Sequence, residues 1–178
     1  SFTLVNAVRG SNFGDTILGD ANANNLDGRA GDDRIDGRGG NDTLTGGTGA
    51  DTFVYADGGG ADTITDFNRA EGDKIDLTGV SSILTFADLQ SKITSPVGAN
   101  PTVLDFGGGN TLTLNGVTSL QQSDFILPNI INGTPNADVL TGTSQVDAIF
   151  GLDGNDRLQG MAGNDRLDGG LGFDRAIY

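Results

Sequence analysis

The chain has 178 residues, only 35% of them hydrophobic, with 30 glycines and a net charge of −14, so a compact apolar core cannot run through all of it. With no cysteine and no histidine there is no disulfide, thiolate metal site, zinc-protease helix or Ser/His/Asp triad, and ten basic residues scattered among 24 acidic ones make nucleic acid a poor partner. No apolar run reaches membrane-spanning length, and residues 1–10 lack the basic start and apolar middle of a signal peptide, so no membrane span is expected and any export signal lies elsewhere.

From Gly10 the sequence advances in phrases of nine. They open at Gly10, Gly19, Gly28, Gly37 and Gly46, with a looser copy, DGGGADTIT, at residues 57–65. The sixth places hold Asp15, Asn24, Asp33, Asp42, Asp51 and Asp62, and the eighth places Ile17, Leu26, Ile35, Leu44, Phe53 and Ile64. Nine residues suit a six-residue turn followed by a three-residue strand whose central side chain points inward. Glycines at the first, second and fourth places let backbones approach closely. Two phrases complete a flattened coil of about 18 residues, and phrases one coil apart share an edge, stacked about 4.8 Å from each other. A disordered glycine- and aspartate-rich linker would have no reason to keep an apolar residue in each eighth place.

Between Asp66 and Leu127 the composition changes. ITDF, KIDL, TVLDF and TLTL read as short strands, the last two joined in a hairpin by GGGN. Residues 85–93, TFADLQSKI, read as a helix begun by Thr85, with Phe86, Leu89 and Ile93 on one face. Ile75, Leu77, Leu84, Leu104, Phe106, Leu112, Leu114 and Phe125 are the expected core of this segment. It would plug the apolar end of the first array. PNIIN, residues 128–132, reads as a linker.

Phrases resume at Gly133, Gly142, Gly151, Gly160 and Gly169, with Asp138, Asp147, Asp156, Asp165 and Asp174 at the sixth places. The eighth places are Leu140, Ile149, Leu158, Leu167 and Ala176, of which only the alanine departs from the pattern. Sixth-place carboxylates one coil apart, such as Asp33 on Asp51 or Asp138 on Asp156, repel one another. A hard dication between coils reverses that sign, and an oxygen-only cage of flexible geometry suits calcium better than magnesium. Asp20, Asp27, Asp32, Asp36, Asp153 and Asp168 lie off this register and are expected on solvated faces.

GRGGNDTLT, GGTGADTFV, GLDGNDRLQ and GMAGNDRLD resemble the RTX family, whose GGxGxDxUx nonapeptides build a calcium-loaded parallel β-roll. The resemblance implies that the sixth-place residues Asp15, Asn24, Asp33, Asp42, Asp51, Asp62, Asp138, Asp147, Asp156, Asp165 and Asp174 hold Ca2+, together with turn carbonyls at Gly31, Gly40, Gly49, Gly154, Gly163 and Gly172. Asn24 is neutral, so its site would be weak or empty. The segment from DTITDF to SDFIL is similar to the one that closes RTX modules in serralysin-type secreted metalloproteases and mannuronan C5-epimerases. SDFIL is also similar to the end of a type I secretion target, and being internal it is either a closing strand or a relic of module duplication.

The expected architecture is therefore all-β: a parallel β-roll array over residues 1–65, a closing segment with short strands and a helix over 66–127, a linker at 128–132, and an incomplete second array over 133–178. The expected role is a non-enzymatic, calcium-folded module of a secreted, extracellular protein whose catalytic or adhesive domains lie elsewhere in a longer parent. The alternative is a module for anionic polysaccharide, contacted through Arg29, Arg38, Arg157 and Arg166. Scarce aromatics argue against stacking on neutral sugars.

Overall fold

The computed structural model describes residues 6–96 and 98–177; residues 1–5 of the expected first array and Tyr178 of the second lie outside the described residues. The protein is an all-β parallel solenoid in which the described residues add one short α-helix and a 3-10 turn at Gln122–Asp124. It divides into two compact units between Ile126 and Leu127.

In the first unit, alternate phrases feed alternate sheets. One sheet takes β1 (Ala7–Arg9), β3 (Asn25–Ala30), β5 (Thr43–Thr48) and β7 (Ala61–Ile64); the other takes β2 (Thr16–Leu18), β4 (Arg34–Asp36), β6 (Thr52–Ala56) and β8 (Lys74–Gly79). Partners such as Thr16 and Arg34, or Asn25 and Thr43, are 18 residues apart and parallel, as the nine-residue phrase requires. The eighth-place side chains meet between the sheets: Ile17, Leu26, Ile35, Leu44, Phe53 and Ile64 are all buried. Each such burial contributes roughly 1.5–3 kcal/mol, which is how a chain so poor in apolar residues still holds a core.

The repeat then stretches instead of stopping. Thr43 pairs with Thr63 and Thr52 with Lys74, so the coil lengthens from 18 residues to 20 and then 22. An antiparallel hairpin of β9 (Thr102–Gly107) and β10 (Asn110–Leu114) ends the first sheet, with β10 parallel to β7. Phe125–Ile126, β11, ends the second sheet beside β8. The helix α1 runs over Phe86–Gln90, shorter than expected; Thr85 caps it through a reciprocal bond with Asp88. Ser91 closes the helix C-terminus, and Ile93 instead bridges to Leu104. Leu84 and Phe106 are only half-buried. Val80, Ile83 and Leu89 fill the core with Ile75, Leu77, Leu104, Leu112, Leu114 and Phe125.

The second unit corrects the linker assignment. Asn129–Asn132 is a strand, β12, parallel to β14 (Asp147–Phe150), which pairs in turn with β16 (Arg166–Asp168). The facing sheet is β13 (Val139–Thr141), β15 (Arg157–Gln159) and β17 (Arg175–Ile177). PNIIN belongs to the roll because Asn129 and Ile131 occupy the sixth and eighth places of a phrase without glycines. β1 begins the first roll in the same way, before the first glycine phrase.

A bidentate ion pair fastens the closing segment: Arg69 donates to both carboxylate oxygens of Asp124, at 2.5 and 2.7 Å, and to the Ser119 carbonyl. Asp124 is fully buried and Arg69 is 37% exposed. Arg69→Met would strand a buried carboxylate and should destabilise the calcium-saturated chain toward the low end of about 3–5 kcal/mol, since the guanidinium is partly solvated. Urea unfolding reads this directly; a loss below about 1 kcal/mol would mean that β11 is held by its apolar contacts alone.

Candidate metal centre

Each sixth-place carboxylate is a rung in a vertical ladder along one edge of the roll. The Asp15 N–H donates to Asp33 Oδ1 at 2.7 Å, Asp33 N–H to Asp51 Oδ1 at 2.9 Å, and Asp51 N–H to Asp73 Oδ1 at 3.0 Å. On the opposite edge Asn24 N–H donates to Asp42 Oδ1 and Asp42 N–H to Asp62 Oδ1. The second unit repeats this: Asp138 to Asp156, Asp156 to Asp174, and Asp147 to Asp165, at 2.8–3.0 Å. A rung needs a short carboxylate held against its turn, and every acidic rung is an aspartate.

One oxygen of each accepting rung is thereby committed. The other turns into its own turn, beneath the first-place glycine: a Cβ built at Gly28, Gly37, Gly46 or Gly151 would fall onto Oδ2 of Asp33, Asp42, Asp51 or Asp156. These four Oδ2 atoms are buried and have no hydrogen-bond partner among the described residues. The parent side chains are 1–2% exposed. Asp15 and Asp138 are half-buried and Asp174 is exposed.

The sequence-predicted glycines sit on the same edges. A Cβ at Gly31, Gly40, Gly49, Gly154, Gly163 or Gly172 would strike the backbone of the fourth-place residue one coil back: Phe13, Asn22, Gly31, Asn136, Gln145 and Gly154 respectively. Successive turns therefore stack backbone on backbone, with carbonyls and carboxylates along one line.

Desolvation dominates the electrostatics. It raises the carboxyls of Asp33, Asp42 and Asp73, pushes Asp51 up to about 6 and Asp62 to about 7, with neighbouring aspartates adding repulsion and the ladder N–H only partly offsetting it. Asp15 goes the other way, lowered by the Ser11 backbone and hydroxyl. At Asp147 burial pushes upward, but bonds from Thr143 and Asn129 together leave the carboxyl below its ordinary value.

A buried, unpaired carboxylate oxygen is expensive, and a row of them is more so. Among the described residues no three acidic side chains converge on one point, so a cation here has to draw on turn carbonyls as well as carboxylates. An all-oxygen set of that kind fits calcium. The family described as RTX calcium-binding nonapeptide repeat (4 copies) matches residues 9–44, 18–53 and 141–176. Within those residues, each array carries RTX calcium-binding nonapeptide repeats. Such repeats bind Ca2+, which is the cofactor of this fold. Among solved structures, the chain is similar to the AlgE6R3 subunit from the Azotobacter vinelandii mannuronan C5-epimerase, at 24% identity and TM-score 0.39, covering 67% of this chain and 81% of that one. It is also similar to the extracellular lipase LipA from Serratia marcescens, at 18% identity and TM-score 0.37, covering 100% of this chain and 30% of the lipase. No curated protein matches the sequence.

Two ladder members escape the glycine-led reading of the sequence. Asn129 donates its side-chain amide to Asp147 Oδ1 at 2.7 Å, and Asp73 Oδ1 accepts from the Asp51 N–H. Their signal is the sixth-to-eighth spacing alone: Asp73 with Ile75, Asn129 with Ile131. The off-register aspartates do structural work. Asp20, Asp36 and Asp168 accept N–H groups two residues on, Asp32 accepts from Ala50 N–H, and Asp27 pairs with Arg9.

The raised carboxyls set a pH dependence for the chain held in chelator. Folding retains protons on Asp51 and Asp62 that the unfolded chain releases, so between 3.8 and about 7 the folded state binds more protons and its stability falls as pH rises. Acidification through this window should increase strand content in circular dichroism without calcium. Below 3.8 the slope reverses as Asp15, Asp88 and Asp147, all lowered, protonate. Strand content that rises with pH across the window would contradict the assignment.

Proposed function

We propose that this chain is a non-catalytic, calcium-folded module of an exported protein, disordered at low calcium and folded on meeting extracellular calcium, where it supports the secretion, folding and stability of the larger chain that carries it. The observation that carries this reading is the set of buried, unpartnered Oδ2 atoms on Asp33, Asp42, Asp51 and Asp156. With the neighbouring turn carbonyls, including those of Gly31, Gly40, Gly49 and Gly154, they would hold the ions. Without a cation the ladder stacks like charges in a desolvated edge; with it, the same edge becomes a cross-link between coils. Net charge of −14 falls to about −2 if roughly six divalent ions bind, removing most of the self-repulsion. Disorder at low calcium suits passage through an export channel, and calcium outside the cell makes folding one-way.

The polysaccharide-binding alternative has less support. Arg29 lies in β3 and Arg38 in the turn after β4, on opposite edges, while Arg157 and Arg166 lie in different sheets of the second unit. Arg166 also sits over the Phe150 ring at 5.5 Å. Within neither unit do its two arginines line a common edge, so neither unit offers a linear track of them to an anionic polymer.

At neutral pH, calcium but not equimolar magnesium should convert a largely disordered spectrum into a strand spectrum, because magnesium holds its water and demands a stricter octahedron. A chain already folded in chelator would refute the proposal. Asp156→Ala, which removes one orphan oxygen and the acceptor of the Asp138 N–H, should move the calcium midpoint upward about tenfold or more, the effect of losing a charge-assisted contact of about 1.5–3 kcal/mol.

A further inference from the structure

The turns of the two arrays exist in two forms, and the second-place residue decides which. In the phrases opening at Gly28, Gly37, Gly151 and Gly160 the second residue is left-handed although it is not glycine: Arg29 at φ 83°, Arg38 at 66°, Leu152 at 75° and Met161 at 74°. These conformations are strained for such side chains and persist only where the surroundings impose them. Each of these phrases has glycine at its fourth place. Three of the four orphan oxygens, on Asp33, Asp42 and Asp156, lie in these phrases, and Asp51 lies in the following one, where Gly47 takes φ 101°.

The phrases opening at Gly10, Gly19, Gly133 and Gly142 differ throughout. Their second residues are Ser11, Asp20, Thr134 and Thr143, none left-handed, and their fourth residues are Phe13, Asn22, Asn136 and Gln145. Here the second residue closes the turn from within. Ser11 N–H and Oγ both donate to Asp15 Oδ2, at 2.6 and 2.9 Å, and Thr134 N–H and Oγ1 to Asp138 Oδ2, at 2.7 and 2.9 Å. Thr143 does the same for Asp147, at 2.7 and 3.1 Å. In the Gly19 phrase the charges are exchanged: Asp20 N–H donates to Asn24 Oδ1 at 2.9 Å, and Asn24 Nδ2 donates to Asp20 Oδ1 at 3.5 Å. The fourth-place N–H is also satisfied in all four of these turns, by the side chain of Ser11, Asp20, Thr134 or Thr143.

We propose that the first glycine-led coil of each array is a calcium-independent cap, in which donors from the second-place residue occupy the carboxylate or amide oxygen that the later, left-handed phrases keep for calcium. The assignment rests on the calcium reading above. It makes Ser, Thr or Asp at the second place, with a non-glycine at the fourth, the mark of a turn that takes no ion. It also explains Asn24: with Asp20 supplying the carboxylate, a neutral partner completes the turn. Both arrays would then start on a coil that forms without metal and presents a finished edge to the first ion-bearing turn.

Native mass spectrometry of the full chain in calcium, with circular dichroism to establish folding, tests this. Asp15→Asn and Asp138→Asn should each retain the wild-type calcium count, since asparagine accepts the same N–H as Asn24 does. Asp42→Asn and Asp156→Asn should each bind fewer ions. The converse variant Thr143→Gly/Gln145→Gly opens a capped turn and should bind one ion more. Ions lost from either cap variant, or no gain in a folded converse variant, would overturn the proposal. A wild-type chain that takes up no calcium would overturn the calcium reading and the cap with it, and is distinguished by the absence of ions from every variant.

Discussion

Everything in this structure depends on one short bond: the N–H of a sixth-place residue donating to Oδ1 of the aspartate one coil on. It fixes the vertical register of each edge, because only a residue at the same phase of the next turn can supply the oxygen. It also fixes where the second oxygen goes. Once Oδ1 is held by the coil before, Oδ2 has to turn beneath its own first-place glycine, and a side chain there would occupy the space. Register, the need for glycine and the metal-ready oxygen are three consequences of a single contact.

That contact also explains why the roll balances so finely. An N–H to carboxylate bond is strong in a desolvated setting, but it leaves charge stacked on charge at every coil. The apolar contribution is one residue per phrase, enough to bring two sheets together yet small beside the ordering of nine residues. A protein built this way has little surplus stability to set against its own repulsion. Its folding is consequently sensitive to anything that neutralises the edge, whether proton or dication.

Much of this was legible in the sequence because the determinants are periodic. The sixth and eighth places, read together, located the inward side chains and both ladders, and the 18-residue pairing followed from doubling the phrase. The glycine marker fails where a phrase does not open on glycine: Asp73 and Asn129 are ladder members of such phrases, and neither β1 nor β12 contains a glycine to mark it as part of the roll. The two turn forms were invisible for a different reason. Whether Arg29 or Leu152 is left-handed depends on the stacked backbone around it, a tertiary constraint that local propensity opposes. Leu84 and Ile83 show the same limit: both are apolar neighbours, yet Ile83 is buried and Leu84 only half-buried, a difference set by tertiary packing.

The closing segment is best understood as the ladder continuing under changing geometry. Asp42 reaches Asp62 across 20 residues and Asp51 reaches Asp73 across 22, yet the bonds stay at 2.9 and 3.0 Å. Added residues are therefore absorbed in the turns while the rungs hold, and the sheets keep their inward side chains, with Phe53 beside Ile75. After Asp73 the acidic partner changes from a backbone N–H to a guanidinium: Asp124, immediately before β11, is satisfied by Arg69 and by Gln121 N–H. In the ladder it is the backbone N–H that reaches the carboxylate of the next coil, and the Asp124 N–H is already given to the Gln121 carbonyl. Asp124 therefore closes on its own segment, where a ladder aspartate would hand the register on to a further coil.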